Sequence, residues 1–292
     1  MLSFVIIIGS LLGVIQPSSA LTMSAAAKAS AKKVVILGGT GYVGNTVAKL
    51  AVSRGHAVTS LSRRGSPAGG SALPGVTYLA GDATDQKVMD NALSGCDAVV
   101  HALGLLFDVS TPGGGALNLI VSASNSRPGP ESTYDAITRQ TAFNAIASVK
   151  RQQGLSIPFV AKKPVPFCFV SAAEAGWPDM SGGEFVEKNL APAPLRRYLE
   201  AKRTVEAALE SAATSGSLRP VVYRPSLIWD WSKLDVLPII PVFNIASALG
   251  VPFVDKTIRV ETLARAIVAG FEGSAVSGVQ RVGEMEALSE EL

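Results

Sequence analysis

A doubly wound α/β fold, with a parallel sheet and helices on both faces, is the architecture this sequence predicts. Three observations carry the prediction. A short apolar run, Val34 to Leu37, enters a glycine turn and leaves it as an amphipathic stretch. Short apolar runs and amphipathic segments then alternate along the chain, which is the pattern of strand–helix–strand units. The 292 residues are 48% hydrophobic and 17% charged, enough to bury a sizeable core and too apolar for a disordered chain.

The first strand is read at Val34 to Leu37, a run without polar interruption and therefore buried on both sheet faces. Gly38-Gly39-Thr40-Gly41-Tyr42-Val43-Gly44 follows, and then Val47, Leu50 and Ala51 at helical spacing. Gly39, Gly41 and Gly44 fit the dinucleotide fingerprint; Gly38, Gly41 and Gly44 fit its more open variant. One glycine permits the tight turn, one lets the backbone approach a pyrophosphate, and one lets the helix pack on the strand. A diphosphate would then sit on N–H groups at the positive end of a helix dipole. The expectation is a Rossmann-like sheet holding a dinucleotide, against the plainer reading of a glycine turn in an empty α/β domain. A smaller substrate region is expected at the C-terminal end.

His56 to Leu61 is read as the second strand, ending at Ser62-Arg63-Arg64. NAD sites place an acidic residue near here on the ribose hydroxyl, whereas an arginine accommodates the extra phosphate of NADP. No Asp or Glu occurs between Gly44 and Gly81, so NADP(H) is expected to be preferred, with NAD(H) possible; the alternative is that Arg63 and Arg64 are solvated loop charges. Val76 to Ala80 is the third strand, followed by Asp82, Ala83 and Asp85. Asp82 is assigned to the adenine and Asp85 to the cap of a helix starting near Thr84 to Met89. Cys96 to Ala102 is the fourth strand, and Ala102-Leu103-Gly104 should pass under the nicotinamide ribose. His101 is read as a core histidine.

Leu105 to Ser132 lacks a clear period, with one short turn of structure conceivable at Leu117 to Val121. Tyr134 to Val149 reads as a helix. Pro166 to Val170 is the fifth strand, with Ser171 at its end. A helix from Pro194 to Ser211 carries Tyr198 and Lys202 one turn apart on one face. An adjacent ammonium lowers a phenol's pKa from about 10, and a strand-end serine can orient a carbonyl oxygen. Ser171, Tyr198 and Lys202 are the candidate catalytic residues for acid–base work beside a hydride carrier. Equally, Tyr198 fits the apolar stripe of Leu195, Leu199, Val205 and Leu209 as a core tyrosine.

Val221 to Tyr223 is the sixth strand, and Pro225 is expected to close over the nicotinamide end. Leu234 to Phe253 is strongly apolar, with Pro238, Pro241 and Pro252 breaking any long helix. It is read as the buried part of a small substrate lobe, or else as a lining for an isoprenoid quinone or a surface for a membrane or partner. Val260 to Phe271 is helical, and a last short strand around Val279 to Val282 precedes an acidic tail.

A net charge of +3 makes no case for nucleic acid. Cys96 and Cys168 read as buried small hydrophobes, and two histidines without a Cys/His cluster leave no metal site. Residues 1–20 resemble a signal-like leader, with an uncharged apolar run from Leu2 to Ile15 and small residues after it. Residues 21–32 are transit-like: Ala, Ser and Lys, in a chain whose first acidic residue is Asp82. Together they resemble the bipartite plastid leader of algae with complex plastids. A mitochondrial presequence, a hydrophobic anchor and initiation at Met23 are the other readings. Residues 33–292 are then the dinucleotide-binding domain.

The glycine turn, the Asp82 region, Ser171 and Tyr198-x-x-x-Lys202 together resemble the atypical short-chain dehydrogenase/reductase superfamily. HALGLLFD (His101 to Asp108), STYDAITRQTAFNAI (Ser132 to Ile146), VSAAEAGW (Val170 to Trp177), RRYLEAKRTVEAAL (Arg196 to Leu209) and YRPSLIW (Tyr223 to Trp229) are similar to one branch. That branch holds the fungal mitochondrial ubiquinone-biosynthesis-associated protein, the nucleotide-binding accessory subunit of respiratory complex I, and plastid relatives. The resemblance implies a small apolar or quinoid substrate. It also implies a possible membrane surface or quinone-linked complex as partner, and either a reductase or a subunit that holds nucleotide without turning it over. Thr138 stands where many relatives carry Asn.

Overall fold

The computed structural model describes residues 30–67, 72–105, 131–154, 163–231 and 237–292. Seven strands form one sheet: β1 (Lys33–Leu37), β2 (Ala57–Ser62), β3 (Val76–Ala80), β4 (Ala98–His101), β5 (Val165–Val170), β6 (Leu218–Tyr223) and β9 (Gly278–Gln280). Their order is β3-β2-β1-β4-β5-β6-β9, and every pairing is parallel. The order reverses at β1, which pairs with β2 on one side and β4 on the other. That reversal opens a crevice at the carboxyl ends of the strands, where open α/β sheets take their ligands.

The apolar run of β1 explains its place. Val34 and Ile36 enter one core layer, against Val47, Ala51 and Leu263; Val35 and Leu37 enter the other, against Met89, Ala142 and Val149. A strand with helices on both faces has no polar side, so alternation disappears from its sequence. The first layer is closed by α1 (Tyr42–Ser53), α7 (Val260–Glu272) and α8 (Val282–Glu290). The second is closed by α2 (Gln86–Ala92), α3 (Thr141–Gly154) and α5 (Ala193–Ala213).

Most expected elements are present with shifted ends. The second strand begins at Ala57, not His56, because the buried His56 ring is used to tie the chain: it accepts from the Lys32 amide at 3.2 Å and meets Glu272 at 2.7 Å. The fourth strand is shorter than read, since Asp97 turns aside to accept from the Lys33 amide at 2.8 Å. The helix read from Tyr134 starts as one π-helical turn, Asp135–Gln140, and runs on to Gly154. The short turn read at Leu117 to Val121 lies outside the described residues.

Three readings need correction. The acidic tail is a helix, α8, which buries Val282, Met285 and Leu288 at a spacing that one helical face supplies. A 3-10 segment (Ala173–Asp179) and α4 (Gly183–Asn189) follow Ser171 where no element was read. The apolar stretch after Leu234 holds α6 (Ile240–Ala248), with Pro241 tolerated in its first turn. This helix is not buried: Val242 is 62% exposed, Ile245 60% and Leu249 77%. A short pair of strands, β7 (Ile228–Trp229) and β8 (Ile258–Arg259), joins this region to the sheet end of α7.

Candidate functional site

The glycine turn is built as its spacing requires. Gly38 has φ +86°, a conformation that side chains with a Cβ avoid. Its carbonyl accepts from the Gly41 amide at 2.9 Å, and its own amide donates to Leu61 at 3.0 Å, which fixes the turn against β2. Gly44 lies in the first turn of α1 directly over Gly38, where a Cβ would collide with the Gly38 carbonyl. Gly41 caps α1 without a side-chain hydrogen bond, so the helix presents its amide-rich, positive end to the crevice.

A cleft of about 340 Å³ opens there. Gly38, Thr40 and Gly41 line it from β1, Arg63 and Arg64 from β2, Asp82 and Ala83 from β3, and Ala102, Leu103 and Gly104 from β4. Each of these was singled out from sequence. Gly39, Tyr42, Val43, Gly44 and Pro225 are not in its lining; Gly39 and Gly44 act through close packing instead. Leu61, Ser62, Gly81, Leu105, Ser132, Ile137 and Thr141 line the cleft without having been picked out. Ser62 had a readable signal, since it stands directly before the two arginines. It closes their turn, accepting from the Gly65 amide at 3.1 Å and donating to the Gly65 carbonyl at 3.2 Å.

The two aspartates divide as expected in part. Asp85 caps α2, accepting from the Lys87 amide at 2.7 Å. Asp82 accepts from the Thr84 amide at 2.9 Å, which points a rigid carboxylate at the cleft wall. His101 is fully buried and meets Thr141 Oγ1 at 2.8 Å. Thr141 in turn donates to the Ile137 carbonyl at 2.7 Å, so the histidine supplies the proton in its contact with Thr141. Burial, then the neighbouring Lys202 charge, hold His101 down to about 3, and it stays neutral in the core.

Ser171, Tyr198 and Lys202 lie outside the cleft lining, at its far end. Lys202 reaches back to it: its ammonium stands 3.5 Å from where a Cβ on Gly104 would lie. The same ammonium donates to the Val170 carbonyl at 2.7 Å and sits 5.5 Å from the Tyr198 ring centre. Burial lowers its pKa to about 8, partly offset by Glu206.

The structure corrects the expected interplay within this trio. Burial, the Glu174 carboxyl and Tyr134 raise the Tyr198 pKa well above its usual value, and the lysine does not pull it down. Lys202 faces the ring, not the hydroxyl, so its charge is spent against the π-face and the Val170 carbonyl. The Ser171 hydroxyl donates to Glu206, which also holds Arg224 through Nη2 at 2.6 Å. Arg224 reaches on to Asp179 at 2.9 Å. Glu174 and Glu206 were missed from sequence because each acts from a neighbouring element: Glu174 from the 3-10 segment, Glu206 one helical turn beyond Lys202.

The cleft fits a dinucleotide. It has a cradle that a Cβ would fill, a helix positive end, a rigid carboxylate and a pair of arginines. The NAD(P)H-binding family matches residues 38–222, more than half of the chain. An uncharacterised chloroplastic protein of Arabidopsis thaliana is 40% identical over 79 residues, 27% of this chain and 26% of that protein. An isoflavone reductase homolog of Zea mays is 34% identical over 80 residues, 25% of this chain and 26% of its own. The chain thus spans about a quarter of the length of these curated relatives. Among solved structures, the enzyme WbmF of Bordetella bronchiseptica with NAD+ superposes with a TM-score of 0.57 at 16% identity, covering 90% of this chain and 78% of that one. The UDP-N-acetylglucosamine 4-epimerase of Methanobrevibacter ruminantium does so with 0.56 at 20% identity, covering 86% and 76%. These two share the fold. The family match and the cleft agree, and the chain belongs to the NAD(P)H-binding family, with a Rossmann-type sheet.

Proposed function

We propose that this protein is an NADP(H)-dependent reductase of a small apolar or quinoid carbonyl compound. The observation that carries the reading is the reach of Lys202: it ties the Tyr198 face of α5 to the Gly104 rim of the nucleotide cleft. Arg63 and Arg64 line the cleft from a stretch of sequence, Gly44 to Gly81, that supplies no Asp or Glu for the ribose hydroxyl, which favours the phosphorylated nucleotide. A bound nicotinamide supplies a hydride to a carbonyl carbon. Tyr198 gives its phenol proton to the carbonyl oxygen, the product leaves as the alcohol or, from a quinone, as the hydroxydienone that tautomerises to the hydroquinone, and the phenolate is reprotonated from solvent. The raised pKa keeps Tyr198 in the phenol form, which favours the reducing direction. Lys202 holds the Tyr198 ring and the Val170 carbonyl in place beside the cleft rim, and Ser171, once released from Glu206, anchors the carbonyl oxygen.

A second reading has an observation of its own. Ser171 is engaged by Glu206 and Lys202 by Val170, an arrangement that suits a subunit holding nucleotide without turnover in a quinone-linked membrane assembly. NADPH oxidation by the purified chain with short-chain quinones separates the two. Turnover lost in Tyr198→Phe and in Lys202→Ala supports the reductase; tight NADPH retention without turnover, indifferent to both changes, supports the holder. The leader composition and the chloroplastic relative favour a plastid over a mitochondrion, which a fluorescent fusion of residues 1–33 tests.

A further inference from the structure

Two edge-on ring pairs, Tyr134–Tyr198 and Trp177–Phe253, meet at one small apolar core beyond the nucleotide cleft. Ser132 lines the cleft, and Tyr134, two residues on, is buried with its ring edge-on to Tyr198 at 5.8 Å. Tyr198 and Trp177 pack on the same small core of Ala172, Ala175 and Leu199. Trp177 is edge-on to Phe253 at 6.3 Å, with an interplanar angle of 79°. Both rings of this last pair are only partly buried.

Phe253 is held at a cost. Among the described residues it alone of the non-glycines has a positive φ, +67°. A bulky residue there is a genuine outlier, and such strain persists where the surroundings impose it, commonly at ligand sites. The backbone twist turns the phenyl ring back onto Trp177 and the segment of Gly182. Residues 237–254 contain no Asp, Glu, Lys or Arg, whereas the Arg224–Asp179 ion pair lies beside Trp177, at Gly176.

We infer that Trp177 and Phe253 form a wall that recognises a flat, uncharged ring in the substrate; the inference rests on the reductase reading above. Edge-on rings keep a face open to a planar guest, and offset stacking on such a face is favourable beyond area burial. Among carbonyl compounds the wall therefore selects quinoid and aromatic ones over aliphatic ones.

The test compares menadione with decanal as oxidants of NADPH, in the full chain and in Trp177→Leu and Phe253→Gly. Glycine adopts the positive φ without strain, so Phe253→Gly removes the ring and keeps the backbone. The expected result is a fall of at least tenfold in the ratio of menadione to decanal kcat/KM in both variants, with NADPH affinity held within twofold. An unchanged ratio overturns the inference. Should neither compound be turned over while NADPH binds, the reductase reading fails separately. Calorimetry of menadione with the NADP+-loaded chain then decides the wall: binding weakened at least tenfold in Phe253→Gly supports it, and no binding, or binding indifferent to Phe253→Gly, overturns it.

Discussion

The Lys202 ammonium donates to the Val170 carbonyl at 2.7 Å, at the residue directly before Ser171. A buried cation held by one carbonyl and two ring faces is poorly compensated for lost water, and burial depresses its pKa to about 8. A lowered folded pKa contributes stability above the ordinary value of 10.5, and that contribution is lost as pH falls through about 8. The penalty at neutral pH is on the order of 3 kcal/mol before the hydrogen bond is credited. Lys202→Met should therefore be inactive yet at least as stable as the parent near pH 7, by up to about 2 kcal/mol after the lost hydrogen bond is subtracted. Urea unfolding at pH 7 and pH 9.5 checks this: the gap should shrink at the higher pH. A variant destabilised equally at both would contradict it.

Glu174 carries the opposite signature. Its carboxyl is raised by burial, and further by Asp255. A raised folded pKa contributes stability that is complete at acid pH, below the ordinary carboxyl value, and is lost as pH rises through the folded one. Glu174→Gln should thus leave stability unchanged near pH 4 and increase it near pH 8. Because Glu174 also raises the Tyr198 pKa, the same change should lower it. Ultraviolet titration of the phenol, with Tyr198→Phe as the blank, reads this directly, and a Tyr198 titration that Glu174→Gln leaves in place would remove Glu174 from the site.

Gly44 tests the cradle by sterics alone. A Cβ there meets the Gly38 carbonyl and the Gly39 backbone, which have little freedom to retreat from β1. Gly44→Ala should cost about 1–3 kcal/mol of stability through overpacking and reduce nucleotide affinity by about tenfold or more. Gly95→Ala is the control. Its neighbourhood is open but its φ is also positive, so it should lose some stability and no nucleotide affinity, by thermal unfolding and calorimetry.

The nucleotide half of the site was legible because its chemistry is written in consecutive residues. Glycine spacing, a strand before it and a helix after it all fall within Val34 to Ala51, and the strand-end residues Arg63, Asp82 and Gly104 inherit their places from the parallel sheet. The far end of the site was less legible because its physics is between elements. Nothing local to Ser171 announces that Glu206, from α5, will take its hydroxyl, or that Lys202 will face a ring instead of a phenol oxygen. The region of α6 misled for a related reason. Apolar composition predicts burial only when some surface is available to cover it, and Val242, Ile245 and Leu249 have none within the described chain.

The most direct measurement is calorimetric titration of the purified chain with NADPH and with NADH, repeated in Arg63→Ala and Arg64→Ala. A charge-assisted contact to the extra phosphate is worth roughly 1.5–3 kcal/mol. NADPH is therefore expected to bind at least tenfold more tightly than NADH, with that margin lost in at least one of the two variants while NADH affinity stays within threefold. Failure of both nucleotides to bind, or equal affinities that neither arginine change disturbs, would contradict the account.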